Sequence, residues 1–258
     1  METRYLAPIF CCYLLKFSRL KDFIKKILKA LPVAFTKNQR YDRLTETVIR
    51  KVCRPDSNCV DVGCHKGEIL DLFLDAAPGG QHYGFEPIPS LIHALRQKYA
   101  GKTTCHLFDL ALSNQNGTSS FNYVLSNPSY SGLLKRHYDR DNEEDTQIQV
   151  TTRQLDAVWP ENLRLDMMKI DVEGGEQGVL EGARKTLDRW KPVVIFEHGL
   201  GASDIYGSTP EQIFKLFQDC GMNIFLLEDF LSGKSCLSAA AFQEQFYKRL
   251  NYYFVAGP

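Results

Sequence analysis

Val60-Asp61-Val62-Gly63-Cys64-His65-Lys66-Gly67 reads as a short buried strand running into a glycine turn that opens a helix. The helix continues through Ile69, Leu70, Phe73 and Leu74 and stops at Pro78-Gly79-Gly80. The same unit then repeats. His82 to Glu86 is a second strand, Pro87 and Pro89 open a helix carrying Leu91, Ile92, Leu95 and Tyr99, and Thr103 to Phe108 is a third strand. Upstream, Arg40 to Val52 has helical spacing and is broken by Arg54-Pro55-Asp56. Strands alternating with helices of this length indicate a parallel sheet with helices on both faces.

Downstream, the stretch 113–152 interrupts the rhythm. Strand-like Ser120 to Leu125 and Ile148 to Thr152 flank a polar loop with an acidic run, Asp139 to Asp145, which together read as an inserted hairpin or lid. The α/β pattern then resumes. Leu165 to Val172 is a strand, Val179 to Trp190 a helix, Val193 to Glu197 a strand, Pro210 to Cys220 a helix, and Asn223 to Leu227 and Asn251 to Ala256 are strands. The expected organisation is an N-terminal extension over residues 1–40 followed by one α/β domain over 41–258.

The composition is that of a globular chain, and it excludes a disordered or collagen-like one. Of 258 residues, 44% are hydrophobic and 24% charged, and 31 basic side chains balance 31 acidic ones. A net charge near zero provides no general field for a nucleic-acid backbone, so no nucleic-acid partner is expected. The eight cysteines contain no C-x-x-C pair, and the chain is too long to need disulfide staples. They read as mostly buried thiols in a reducing compartment, which points to the cytoplasm. The apolar run Leu6 to Leu15 is too short to span a bilayer. Over residues 16–31, Phe17, Leu20, Phe23, Ile24, Ile27, Leu28 and Leu31 form a helical stripe opposite Lys16, Arg19, Lys21, Lys25, Lys26 and Lys29. Such a helix either packs on its own domain or lies on an anionic membrane surface as a peripheral contact.

Chemistry concentrates at the strand ends. The turn D-x-G-x-x-x-G at Asp61, Gly63 and Gly67 lacks the G-x-G-x-x-G of a dinucleotide site and suits an amino acid joined to a nucleoside. Glu86 ends the second strand, where a carboxylate can accept from both ribose hydroxyls. Asp109, after the third strand, is placed for the adenine amino group. In Met168-Lys169-Ile170-Asp171-Val172-Glu173-Gly174-Gly175-Glu176, strand alternation would bring Lys169, Asp171 and Glu173 to one face, with Glu176 opening the next helix. The bland alternative is a salt-bridged strand end with acids at a helix N-terminus. A divalent metal could use these carboxylates, yet no His or Asp completes an evident ligand set. His198, in Ile195-Phe196-Glu197-His198-Gly199, stands at the same sheet edge as a second candidate base.

Taken in order, VDVGCHKGEI, YGFEP, DLALS and MKIDVEGGEQGVLEGA resemble the FkbM-type S-adenosylmethionine-dependent methyltransferase family over about residues 56 to 200. The resemblance implies a Rossmann-like class I methyltransferase fold, with a mostly parallel seven-stranded sheet whose last strands form an antiparallel edge. It implies that Asp61, Gly63 and Gly67 surround the methionine part of S-adenosyl-L-methionine, that Glu86 holds the ribose and that Asp109 lies near the adenine. It also implies that Lys169, Asp171, Glu173 and Glu176 face the acceptor, and that the reaction is O-methylation of a sugar, glycolipid or polyketide-like small molecule. His65 and Lys66 map to no role. Asp171 is the first candidate for base or hydroxyl-orienting group, Lys169 for holding the acceptor or tuning that carboxylate, and His198 is second. Glu197, Tyr130 and Ser131 are candidate acceptor contacts, with Arg136 and His137 in the lid. The rivals are an NAD(P)-dependent oxidoreductase or epimerase, which the absence of G-x-G-x-x-G disfavours, and a catalytically silent membrane-associated adaptor.

Overall fold

The computed structural model describes residues 36–138 and 143–258. The chain divides into two units, Met1–Leu44 and Thr45–Pro258. The basic stripe over 16–31 lies outside the described residues. Helix α1 (Lys37–Val52) starts three residues before the sequence expectation because Thr36 and Gln39 cap it reciprocally. Thr36 Oγ1 accepts from the Gln39 N–H at 3.2 Å and Gln39 Oε1 from the Thr36 N–H at 3.3 Å.

The second unit continues with β1 (Cys59–Val62), α2 (Glu68–Ala76), β2 (His82–Phe85), α3 (Pro89–Lys98) and β3 (Cys105–Phe108). Then come β4 (Ala111–Leu112), β5 (Gly117–Val124), β6 (Asp145–Arg153), α4 (Leu155–Val158), β7 (Met167–Ile170), α5 (Glu176–Gly182), α6 (Arg184–Trp190) and β8 (Val193–Glu197). The chain ends with α7 (Pro210–Asp219), β9 (Asn223–Leu226), α8 (Leu227–Ser232), α9 (Ala239–Tyr247) and β10 (Tyr253–Gly257).

Seven strands form one sheet in the order β3-β2-β1-β7-β8-β10-β9. The first five pair in parallel, and β10 inserts antiparallel between β8 and β9. This is the expected class I methyltransferase arrangement, with its antiparallel edge. The chain builds outward from β1 to β3 and then returns to build from β7 to the other side, so the topology reverses between β1 and β7. A crevice therefore opens at the C-terminal ends of those two strands. The central strands β1, β2 and β7 are buried along their whole length, as the middle of a parallel sheet requires, and Val60, Val62, Met168, Ile170, Phe196 and Phe254 share one core.

The interrupting segment is a hairpin, with β5 and β6 antiparallel from Gly117↔Thr152 to Val124↔Asp145 and β4 parallel to β6. The helix expected over Val179 to Trp190 is instead two, broken at Ala183. Two distant contacts cause the break. A Cβ on Gly182 would lie 2.1 Å from the Ser113 carbonyl oxygen, so that backbone packs directly on the helix end. Asp156 then caps α6, its carboxylate accepting from the Lys185 and Thr186 N–H groups at 2.8 and 2.9 Å. Helix α9, absent from the sequence expectation, is capped by Ser238 and sets Phe242 and Phe246 into the core. No helix among the described residues is long and apolar enough to cross a membrane.

Candidate functional site

At the crevice a cleft of about 820 Å³, part of it open to solvent, runs between the ends of β1, β2 and β7 and the inserted hairpin. Gly63, His65 and Glu86 line one half, and Asp171, Glu173 and Tyr206 the other. Phe121, Ser129, Ser131 and Leu133 of the insert face them.

Glu86 is buried at the end of β2, and its two oxygens are fixed separately. Oε1 accepts from the Ile88 N–H and Oε2 from the His65 N–H, each at 2.9 Å. Burial pushes its carboxyl up to about 7 while those two N–H groups pull the other way. Asp61, in β1, is buried with Oδ2 lacking a hydrogen-bond partner. Burial raises it to about 8; the Lys169 ammonium opposes that shift, and the Asp171, Glu86 and Glu68 charges add to it.

The glycine turn is left-handed at Gly63 (φ 78°), His65 (φ 45°) and Gly67 (φ 79°). Close packing of neighbouring protein requires glycine at two of these positions. A Cβ on Gly63 would stand 2.0 Å from the Asp171 carbonyl oxygen, and one on Gly67 would stand 2.4 Å from the Tyr99 hydroxyl. Both glycines make room for neighbouring protein, and of the two it is Gly63 that lines the cleft.

Across the cleft, β7 ends at Ile170, and the expected alternation through Glu173 stops there. Asp171 still donates its N–H to the Val62 carbonyl at 3.0 Å, which ties it to β1. Beyond it the chain turns left-handed at Glu173 (φ 58°) and Gly174 (φ 107°). Glu176 holds this turn, with Oε1 accepting from the Val172 and Gly174 N–H groups at 3.0 and 3.2 Å. The Asp171 carboxylate is held at one oxygen: Lys169 Nζ and the Tyr253 hydroxyl both donate to Oδ2, at 3.0 and 2.5 Å. Burial pushes Asp171 up, but the Lys169 charge and the two hydrogen bonds outweigh it, and the net direction is down. Glu173 goes the other way, raised by burial and by the Asp171 charge although Arg136 contacts it at 2.5 Å. Among the described residues, no group of three or more His, Cys, Asp or Glu side chains is placed to hold a metal ion.

A family model described as the Methyltransferase FkbM domain matches residues 61–224, more than half of the chain. The chain belongs to the FkbM methyltransferase family. It is 28% identical over 184 residues to the 2-O-methyltransferase NoeI of Sinorhizobium fredii, an alignment covering 66% of this chain and 72% of that one. Among solved structures it is similar to an FkbM methyltransferase from Methylobacillus flagellatus KT, with TM-score 0.41 and 16% identity. That alignment covers 56% of this chain but spans only 33% of the other. Aeropyrum pernix fibrillarin with bound S-adenosyl-L-methionine aligns with TM-score 0.43 and 13% identity, over 84% of this chain and 74% of that one.

Within the FkbM domain the expected site residues separate into two groups. Gly63, Glu86, Asp171, Glu173 and Ser131 come together on the cleft, and Lys169 stands behind Asp171. Of the others, Asp61 is buried beside the glycine turn, and the rest do not line the cleft. His198 is fully buried, both ring nitrogens lack a hydrogen-bond partner, and its ring stacks on Phe242 and Phe246 with centroids 5.8 and 4.6 Å away. Burial lowers it to about 4, so it is a core aromatic and not a base at the cleft. Asp109 is turned outward to Arg96 at 3.1 Å, leaving Leu110 to line the cleft. Glu176 serves the turn rather than an acceptor. Glu197 sits opposite Tyr253 in the β8–β10 register, raised by burial and by the Asp171, Glu176 and Glu173 charges. Tyr130 lies between Arg136, whose Cζ is 4.7 Å from its ring centre, and Tyr138, stacked at 6.1 Å.

Three residues of the site carried no role in the sequence reading. Tyr253 reaches Asp171 only because β10 inserts beside β8, and nothing local signals that. Tyr206 anchors the insert, its hydroxyl accepting from the Leu134 N–H at 2.9 Å. His65 is the imidazole that does line the cleft, with Nε2 3.4 Å from Ser129 Oγ. Its position inside the glycine turn was the available signal.

Proposed function

We propose that the chain is an S-adenosyl-L-methionine-dependent O-methyltransferase acting on a hydroxyl of a sugar, glycolipid or polyketide-like small molecule. The observation that carries this reading is one cleft with Glu86 at one end and Asp171 at the other. The residues fit such a cofactor. Glu86 keeps lone pairs on both fixed oxygens for a ribose, and Asp61 Oδ2 is a buried acceptor without a donor beside the glycine turn, where the methionine ammonium would supply one. When bound, this cofactor supplies an electrophilic methyl group on a sulfonium. Everything else falls to the chain's own residues, and in an in-line displacement their work is mostly alignment.

Because Lys169 and Tyr253 both hold Asp171 Oδ2, Oδ1 is the oxygen left for an acceptor hydroxyl. A carboxylate kept ionised in this way orients and polarises that hydroxyl. His65, which burial holds below the usual imidazole value, is the cleft imidazole that takes the proton, in place of His198. The insert covers the acceptor half through Ser129, Ser131 and the Arg136–Glu173 pair, which supports reading it as a lid. The name of the Sinorhizobium relative supports oxygen as the atom methylated.

The test is transfer of labelled methyl from S-adenosylmethionine to a panel of methyl glycosides and glycolipids, with wild type beside Asp171→Asn. Label in an ether of one acceptor class, lost in the variant, is the expected result. Transfer to nitrogen or carbon acceptors alone would refute the oxygen assignment.

A further inference from the structure

We propose that Cys53 and Cys59 form a thiol-oxidation site, a dithiol that hydroperoxides convert into an intramolecular disulfide. The pair stands at the N-terminal end of β1, at the far end of that strand from Gly63, and the methyltransferase reading assigns it nothing. Cys53 follows the last turn of α1, donating its N–H to the Ile49 carbonyl at 2.9 Å, and is part-exposed. Cys59 is the first residue of β1 and is buried. Their sulfur atoms are 3.8 Å apart.

The turn between them is fixed, so this approach is a property of the fold. Ser57 donates its N–H to the Arg54 carbonyl and accepts the Arg54 N–H on Oγ, both at 2.9 Å. Asn58 is tied to the start of β7 by its N–H to Asp166 Oδ2, also 2.9 Å. On its other side Cys53 meets the Met167 sulfur at 3.7 Å, and Met167 pairs with Cys59 across β1 and β7. The two thiols also differ in exposure. Cys53 is part-exposed and within reach of a soluble oxidant, whereas Cys59 is buried and its Sγ donates to the Ser57 carbonyl at 3.8 Å. The outer sulfur is therefore the nucleophile and the inner one the resolving partner.

The chemistry balances with a hydroperoxide as oxidant. The Cys53 thiolate attacks the O–O bond, forming a sulfenic acid and releasing an alcohol, or water from hydrogen peroxide. The Cys59 sulfur then displaces that hydroxyl as water and forms the S–S bond. Two thiols are oxidised and one O–O bond is reduced. The sulfurs must close from 3.8 Å to about 2.05 Å, which rotation of the Cys53 side chain at a helix end can supply.

The experiment treats the full chain with limiting hydrogen peroxide, alkylates the remaining free thiols and maps the peptides by mass. A Cys53–Cys59 linkage that forms before the exposed Cys236 is consumed, and that dithiothreitol reverses, is the expected result. In Cys59→Ser the resolving thiol is gone, and Cys53 should stop as a sulfenic acid that a cyclic dione traps. Wild type that accumulates Cys53 sulfinic acid without the linkage, or that loses Cys236 while 53 and 59 stay reduced, would overturn the proposal.

Discussion

Substituting Gly63 by alanine tests the junction between the two halves of the cleft. Two separate costs arise there. The backbone sits at φ 78°, a left-handed conformation that costs a residue with a Cβ about 1–2 kcal/mol. The added Cβ would also lie 2.0 Å from the Asp171 carbonyl oxygen, and relieving such an overlap against backbone costs about 1–3 kcal/mol more. The sum is about 2–5 kcal/mol, which for a chain of this size lowers the melting temperature by roughly 4–20 °C. Gly101 isolates the first cost, since it has φ 82° and nothing within 4 Å of an added Cβ. Gly101→Ala should therefore lose only about 1–2 kcal/mol. Urea unfolding of both variants, read as a shift in midpoint at unchanged slope, measures the difference. Because the overlap is with Asp171 itself, Gly63→Ala should also weaken methyl transfer while Gly101→Ala does not. If Gly63→Ala is no less stable than Gly101→Ala, the close packing of the β1 turn on the loop after β7 is refuted.

Tyr253→Phe removes one of two donors to the Asp171 carboxylate, a charge-assisted bond worth about 1.5–3 kcal/mol, and should lower kcat about tenfold or more with KM little changed. Equal loss in KM would assign Tyr253 to acceptor binding instead. Asp61 has a folded-state value of about 8 against 3.8 when unfolded, so the native state keeps the proton longer as pH rises. Its contribution is complete below about pH 4 and lost by about pH 8, and it amounts to a few kcal/mol. Wild type should lose stability relative to Asp61→Asn across that window in urea unfolding at fixed ionic strength. A constant difference would show that Asp61 ionises normally. His198→Phe should keep S-adenosylhomocysteine affinity within about twofold, since the ring packs among Phe242 and Phe246 away from the cleft; a tenfold loss by calorimetry would return His198 to the site.

What was legible in the sequence is what local patterns determine. The runs ending at Val62, at Glu86 and, over Leu165 to Val172, beside Asp171 marked the strands of a buried parallel sheet and the edge at which a ligand would sit, although the third strand proved to end at Ile170. Val193 to Glu197 was read to the residue. Features made by distant partners were not legible. The break at Ala183 depends on Ser113 and Asp156, and the Asp171 clamp depends on Tyr253, 82 residues away. His198 shows the converse error. A histidine at a strand end resembles a base until α9, which the sequence reading did not find, covers it with two phenylalanines. Glu173 and Glu176 were grouped with Asp171 as facing the acceptor, but the left-handed turn gives them different work: one pairs with Arg136 and the other holds the turn.

The central claim is that Glu86 and the glycine turn bind an adenosyl cofactor. Isothermal titration of S-adenosylhomocysteine into wild type and Glu86→Ala, with NAD run beside it, tests this most directly. The account predicts micromolar binding to wild type, at least about tenfold weaker binding to the variant, a loss of about 1.4 kcal/mol, and none for NAD. Absence of binding to the wild type, or equal affinity in Glu86→Ala, would contradict it.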